Sequence, residues 1–518
     1  MVREGTPPEV DLSLARARNA ERPFTWLPYE KASFDLAAKE GKLVLLDGAA
    51  EWCHWCHVMD ETTYKDPEIG RILNERFVAI RVDIDEHPDM AERYGAWGWP
   101  ATILLTADGR ELGKLRGYVP AGELAPTLRQ VVADASAATT PGPDPGALAA
   151  TVDDLPWTAA FALFSLDDYY DDKGSGWGFR QKSALGENLE MEARRAARGD
   201  DRARVRALAT TNAQRALLDP VWGGVYQYSD DGVWNHPHFE KLMPYQAVNL
   251  EAYAAVYRAT GDSGARADAE LVARYMTTFL RAPDGSFYVN QDADVGAHDP
   301  SVPFIDGHVY YAKTDAERRA LGIPWIDRSV YAHDNGLAIA ALVALSEATG
   351  DPSPLAAARA AADSLLRTHV GADGRVLHEA EGRKLMYLPD AAAFGRALAR
   401  LARVTNEPRY REVALQIAAA MERELAAPNG GFFGASADPD AVGVFAERRQ
   451  PFDANVLAAR FFAELARTTQ DEAWFTRGKR VLAAASTPRM LATQGRLLGG
   501  YALACDELGL TGRALGAP

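Results

Sequence analysis

Two rhythms of apolar and polar positions divide this chain. In the first 140 residues the apolar positions come in short bursts. Leu43 to Asp47 is an apolar run closed by an acid, Phe77 to Asp83 alternates as FVAIRVD, and Ala101 to Thr106 is apolar again. Asp108-Gly109 then turns the chain into Glu111 to Gly117. A period of two predicts a half-buried strand, and short apolar runs bounded by turn residues predict further strands. Helices are predicted over Glu30 to Glu40, ending at Gly41, over Val58 to Arg76, where the only glycine is Gly70 and no proline comes early, and from Ala121 to about Ala135.

From Trp157 onward the rhythm is helical, and it repeats. Ser183, Tyr245, Asp334, Asp390 and Asp453 each precede a helical segment, and fifteen residues later Arg198, Thr260, Thr349, Thr405 and Thr468 open polar turns. Twenty-five residues further on, four of the five units reach a glycine: Gly223, Gly285, Gly374 and Gly430. Each unit is thus a helical hairpin of about forty residues, of the kind that stacks with its neighbours to bury a shared core. Trp157 to Tyr170 reads as a lone second half and Leu497 to Leu508 as a lone first half. Joined, they make a sixth hairpin and close an (α/α)6 toroid. An open solenoid would need a terminal helix with a polar outer face, which Tyr501, Leu503, Ala504 and Cys505 do not supply. Cys505 is read as a core thiol. The predicted organisation is therefore multi-domain: an α/β domain over 1–136, a linker rich in proline, glycine and small residues over 137–156, and the all-α toroid over 157–518.

Composition narrows the partners. A net charge of −16 argues against nucleic acid or an anionic membrane surface. Three cysteines are too few for a disulfide framework. The opening MVREGTPPEVDLSL has no apolar stretch, and no run approaches the ~18 apolar residues of a membrane span. A cytoplasmic protein is expected, with no nucleic-acid or membrane partner.

The chemistry is concentrated in Asp47 to His57, DGAAEWCHWCH, a strand-turn-helix junction. Two cysteines three apart there put Cys53 at a helix N-terminus and Cys56 one turn inside, where unpaired N–H groups and the helix dipole favour a thiolate. Cys53 is the expected attacking sulfur and Cys56 the resolving one, acting on a protein or small-molecule thiol or disulfide. A protonatable His54 beside Cys53 should stabilise the thiolate and make the pair more oxidising than one lacking it. No cofactor is expected. A zinc or iron ion on CHWCH is the rival reading, but four neighbours on one helical turn cannot all converge on a tetrahedral ion, and His87 would contribute only if its loop folds back.

AEWCxxC is also the signature of the thioredoxin superfamily, which the order strand, redox helix, strand, hairpin and helix resembles. That resemblance implies that Asp47 is a buried acid accepting the proton of Cys56, and that Pro100 of GWPAT is a cis-proline against the cysteine pair. CHWCHVM, the VDIDEHPD segment and Gly98-Trp99-Pro100 resemble more narrowly the thioredoxin-domain family that includes YyaL and human spermatogenesis-associated protein 20. Asp47 departs from it, since serine is common there, as does Trp97-Gly98, where the family commonly has Gly-Gly.

The long loops of the ring carry His236, His238, His298, His308, His333 and His378, with acids including Glu240, Asp292, Asp294, Asp438, Asp440 and Glu447. Function concentrates in such loops on a rigid scaffold, which makes the mouth of the ring a candidate second site. PHFEKLM, with His238 and Glu240, and QDAD, with Asp292 and Asp294, resemble strings of the same family, whereas Leu321 to Arg328 matches nothing. The toroid resembles those of six-hairpin glycosidases and N-acylglucosamine 2-epimerases, which implies acid/base chemistry on a carbohydrate-like ligand at the mouth. The structural readings compete: Asp334, Asp390 and Asp453 as helix N-caps, and His238 with Glu240 as a hydrogen-bonded pair seating a loop. Three functions follow in order: a thiol–disulfide oxidoreductase whose toroid binds substrate or partner, a carbohydrate-active enzyme with a redox regulatory domain, and a non-catalytic interaction or metal-binding protein.

Overall fold

The computed structural model describes residues 22–134, 149–298 and 301–511. Most of the linker predicted over 137–156 lies outside them. The chain divides into two compact units: Met1–Pro145 with Ala437–Arg448, and Gly146–Ser436 with Arg449–Pro518.

The first unit is built on a five-stranded sheet. Its strands are β1 Leu27–Pro28, β2 Leu43–Ala49, β3 Phe77–Asp83, β4 Ala101–Leu105 and β5 Glu111–Arg116, in the order β1-β3-β2-β4-β5. β2 lies parallel to β3, with Leu46 beside Ile80, and antiparallel to β4, with Leu46 opposite Ile103. The alternation of FVAIRVD does not mark a face left to water, because both faces are covered. Leu45, Phe77 and Leu104 point into one core and Leu46, Ile80 and Ile103 into the other.

Five helices do the covering: α1 Lys31–Glu40, α2 His54–Glu61, α3 Pro67–Arg76, α4 Pro88–Tyr94 and α5 Ala121–Ala133. The single helix expected over Val58 to Arg76 is two helices. Asp66 accepts from the N–H groups of Glu68 and Ile69 at 2.8 and 3.2 Å, and Pro67 takes the first helical position, so a new helix starts there. The break lets Thr63 Oγ1 donate to Val119 O at 2.7 Å and buries the whole Tyr64 ring. Ala437–Arg448 belongs to this unit although the sequence assigns it to the toroid. Its Val444 N–H donates to Gly109 O at 3.0 Å, Arg93 Nη2 donates to Glu447 O at 3.0 Å, and Phe445 packs edge-on to Tyr29 with ring centroids 5.4 Å apart. Phe34 and Tyr94 complete that apolar patch.

The second unit is an (α/α)6 toroid. In chain order its helices are α6 Leu155–Asp168, α7 Gly186–Ala197, α8 Asp201–Gln214, α9 Met243–Thr260, α10 Ser263–Phe279, α11 Gly307–Tyr311, α12 Asp315–Leu321, α13 Ala332–Thr349, α14 Pro352–Thr368, α15 Leu388–Thr405, α16 Pro408–Glu424, α17 Phe452–Thr469, α18 Glu472–Ala485, α19 Pro488–Gln494 and α20 Gly499–Glu507. Helices α7, α9, α13, α15, α17 and α20 each touch the next, and α20 returns to α7, so the inner ring is closed. α20 also packs on α6, the outer half of its hairpin. Gly336 lets α13 approach α15 closely, since a Cβ there would stand 2.6 Å from the Ala393 carbonyl carbon. The short turns keep their predicted chemistry: α9 ends at Gly261 in the left-handed conformation, and Asp262 caps α10 by accepting from Ala265 N–H at 2.8 Å.

At the other end, Asp334, Asp390 and Asp453 are not N-caps. The caps are Tyr331, Tyr387 and Pro451, and the three acids lie inside the first turns, where a negative charge still suits the helix dipole. The unplaced stretch Leu321 to Arg328 supplies Ile326–Asp327, a strand that pairs with Asn290–Gln291, which in turn pairs with Lys241–Leu242. No helix among the described residues is long and apolar enough to cross a membrane.

Candidate functional site

In the first unit, β2 delivers the chain into the cysteine motif and α2 carries it away. Cys53 is the N-cap of α2, its Sγ accepting from Cys56 N–H at 3.2 Å, and the two sulfurs form a disulfide. Both cysteines are almost entirely buried, whereas Trp55 between them is 43% exposed. His54 opens α2, half-buried, with its ring edge-on to Trp55. The N–H that touches Cys53 Sγ also donates to Cys53 O at 2.9 Å, and at a helix start it lies where it can stabilise a thiolate when the pair is reduced. Pro100 precedes β4, and the Trp99–Pro100 peptide is cis.

Asp47 is fully buried, as the thioredoxin resemblance implies, but its carboxylate is already engaged. Arg81 of β3 donates to Asp47 Oδ2 from Nε at 3.0 Å and from Nη2 at 2.7 Å, and Tyr64 donates to Oδ1 at 3.1 Å. The same guanidinium holds Asp60 of α2, with Nη1 and Nη2 at 2.8 and 2.6 Å, and lies over the Trp26 ring at 4.5 Å. Burial raises the Asp47 carboxyl above its usual range in spite of Arg81. Burial also opposes ionisation of Asp60, but there Arg81, with Arg22 behind it, outweighs the cost and holds the group low. The carboxylate that the resemblance makes the Cys56 proton acceptor thus also holds a guanidinium and a phenol. Arg81 was hidden in the sequence as the polar member of an alternating strand.

A second acid group flanks the motif from the end of β3. Asp83 accepts from Asp85 N–H at 2.8 Å, and Asp85 Oδ2 accepts from Trp52 Nε1 at 2.7 Å, which ties the residue before Cys53 to the β3–α4 turn. Burial, and next the Asp85 carboxylate, push Asp83 well up from its ordinary value.

In the toroid, the predicted mouth residues fall into separate pairs. His238 Nε2 meets Asp230 Oδ2 at 2.8 Å and stacks on Tyr228, so the pairing with Glu240 is replaced by one across a two-stranded ribbon. Glu240 is buried beside Lys241, and the Lys241 ammonium donates to Asp219 Oδ2 and Gly223 O, both at 2.8 Å. Asp292 Oδ2 pairs with His298 Nε2 at 2.8 Å, under Trp325, while Asp294 Oδ1 accepts from Gly307 N–H at 2.8 Å and seats α11. A denser group forms where α13 meets α15. Asp390 accepts from His333 N–H at 2.8 Å and meets His378 Nδ1 at 3.0 Å, and His333 Nδ1 lies 3.9 Å from Asp334. Burial works against protonation of His333, but Asp334 outweighs it and raises the imidazole above its ordinary value. His378 and Asp390 are buried, and His333 keeps a side chain 28% exposed. Asp438, Asp440 and Glu447, counted with the mouth by sequence, belong to the first unit.

Comparison with known proteins places this geometry. Residues 13–139 match the Thioredox_DsbH family, described as a protein of unknown function, DUF255. Human spermatogenesis-associated protein 20 is 28% identical over 312 residues, a match that covers 54% of this chain and 40% of that protein. Over that stretch the chain is similar to spermatogenesis-associated protein 20. It thus spans well under two thirds of that relative's length, and the DUF255 domain carries the cysteine motif. The chain is also similar to thiol:disulfide interchange protein DsbD of Neisseria meningitidis, 36% identical over 96 residues that cover 18% of this chain and 16% of DsbD. Among solved structures, cellobiose 2-epimerase from Spirochaeta thermophila superposes with a TM-score of 0.53 at 14% identity, over 76% of this chain and 99% of the epimerase. At that identity the likeness is one of fold, the (α/α)6 ring.

Proposed function

We propose that this chain is a thiol–disulfide oxidoreductase that works through Cys53 and Cys56, with its toroid binding the substrate or partner. The observation that carries the reading is a disulfide at the N-terminus of α2, in a thioredoxin-like sheet unit that also holds a cis-proline before β4. In the reducing direction the Cys53 thiolate attacks one sulfur of a substrate disulfide, forms a mixed disulfide and releases the other sulfur as a thiolate. Cys56, deprotonated, then attacks Cys53 Sγ, releases the second substrate thiolate and restores the Cys53–Cys56 bond. The two electrons gained by the substrate are those lost by the pair. The reverse sequence oxidises a substrate dithiol. Asp47, held by Arg81 and raised by burial, is the proposed acceptor of the Cys56 proton. The similarity to DsbD, a thiol:disulfide interchange protein, favours the same reading.

The deciding experiment equilibrates the protein in glutathione buffers and traps free thiols. A reversible two-electron transition, absent in Cys53→Ser and displaced to a more reducing potential in His54→Ala, is expected. Failure to form the disulfide at any buffer composition sinks the proposal.

A second reading rests on the His333, Asp334, Asp390 and His378 group: the toroid acts on a sugar by proton transfer, as the epimerase-type fold suggests. Solvent deuterium entering a reducing disaccharide next to its carbonyl carbon, and ceasing in His333→Asn, would establish that reading. No exchange with any of a panel of reducing sugars would remove it.

A further inference from the structure

The toroid also concentrates charge away from the mouth. At the opposite end of the ring, six arginines and five glutamates from all six inner helices line a cavity of about 230 Å³. Arg258, Arg403 and Arg467 stand in the last turns of α9, α15 and α17, which fixes the cavity at the end that carries the short turns. Its acids are shared. Glu251 holds Arg396 at 3.0 Å and Arg400 at 2.6 Å, and Glu347 holds Arg400 at 2.7 Å and Arg403 at 3.1 Å. Arg403 also takes Glu464 at 2.7 Å. Burial opposes ionisation of Glu251 and Glu347, but the guanidiniums outweigh it and hold both below the ordinary carboxylate range. Donors still outnumber acceptor positions on this wall, since each of its six guanidiniums carries five N–H groups and each of its five carboxylates offers about four lone-pair positions. Arg258 lines the same space, exposed, and makes no ion pair among the described residues. The wall has one more cation than anion in a chain whose net charge is −16.

We propose that this cavity binds a small oxyanion carrying two or more negative charges, of the phosphate or polycarboxylate class. Planar guanidiniums with spare donors suit oxygens of that geometry. At ~30 Å³ per water the space equals roughly eight waters, enough for a ligand on the order of ten heavy atoms. The competing account is that the arginines serve only the partial negative charge of six helix C-termini. That account predicts no saturable ligand. The site is independent of the cysteine chemistry.

Calorimetric titration of the whole protein at fixed ionic strength, with pyrophosphate and then citrate, separates the two. Saturable one-to-one binding of at least one probe is expected, and which of them binds assigns the class. Arg258→Met, on the exposed rim, should weaken binding about tenfold or more, the worth of a charged hydrogen bond, while leaving the Cys53–Cys56 potential unchanged. Glu464→Gln, which removes one acid from the wall, should tighten it. No saturable binding of either probe, or an affinity unchanged in Arg258→Met, overturns the proposal.

Discussion

Lys241 offers a quantitative test of how the toroid loops are held. Its ammonium is wholly buried, bonded to Asp219 and to Gly223 O, and faces the ring of Tyr275 at 4.5 Å and that of Tyr311 at 5.0 Å. Arg318 Nη1 donates to the same Asp219 Oδ2 at 2.7 Å, so two cations share one carboxylate. Burial, partly offset by Asp219, pulls Lys241 down from 10.5 to about 8. Between those limits the unfolded chain holds a proton on Lys241 that the folded protein has lost, so the stability contributed by this group rises with pH across the interval. It is complete above 10.5 and is lost as pH falls through about 8. At 1.36 kcal/mol per pKa unit, the interval is worth roughly 3 kcal/mol. Lys241→Met removes the titration. Urea unfolding of both proteins, followed by far-ultraviolet circular dichroism from pH 7.5 to 10.5, should show the wild type gaining on the variant by that amount, with the gain confined to the region above about 8. A stability difference that stays flat across the range would refute the reasoning, and a difference that shrinks would show that Asp219 outweighs burial.

Other consequences can be checked in the first unit. Arg81→Met leaves Asp47 buried without its guanidinium and should cost ~3–5 kcal/mol at neutral pH, less as acid protonates Asp47, and Asp47→Asn in the same chain should restore part of it in urea melts. Phe445→Ala should lower the unfolding midpoint of the sheet unit, by ~1–3 kcal/mol for a partly buried aromatic. No change in tryptophan fluorescence melts would show that Ala437–Arg448 adds nothing to that core. Cys505 is fully buried, and burial pushes its thiol above the ordinary range, so alkylation of the native protein should spare it.

What the chain discloses by itself depends on the range of the interaction. The cysteine motif, the inner helices and their turns are written in neighbouring residues: Cys53 three from Cys56, Gly261 next to Asp262, one hairpin about every forty residues. The ring closes by the same logic, because Tyr501 and its apolar neighbours have no place on a polar end cap. Asp66-Pro67 is equally local, yet the helical run on either side of it conceals the break. Arg81 is another matter. Its partners are 34 and 21 residues away, and alternation in β3 says which face it occupies without saying that two acids wait there. His238 likewise chooses Asp230 over Glu240 because a ribbon folds Tyr228 beside it. Phe445 is the extreme case, a toroid residue by position that finds Tyr29 and Phe34 only in three dimensions.

That last contact bears on how the protein is made. The sheet and its five helices have all left the ribosome by Ala133, yet Phe445 follows roughly 300 residues later. At about 5–20 residues per second, the patch formed by Tyr29, Phe34 and Tyr94 stands without its final cover for some 15–60 seconds of synthesis. Nascent chains of this protein therefore offer chaperones an apolar handle early, and a fragment ending at residue 136 keeps that handle permanently.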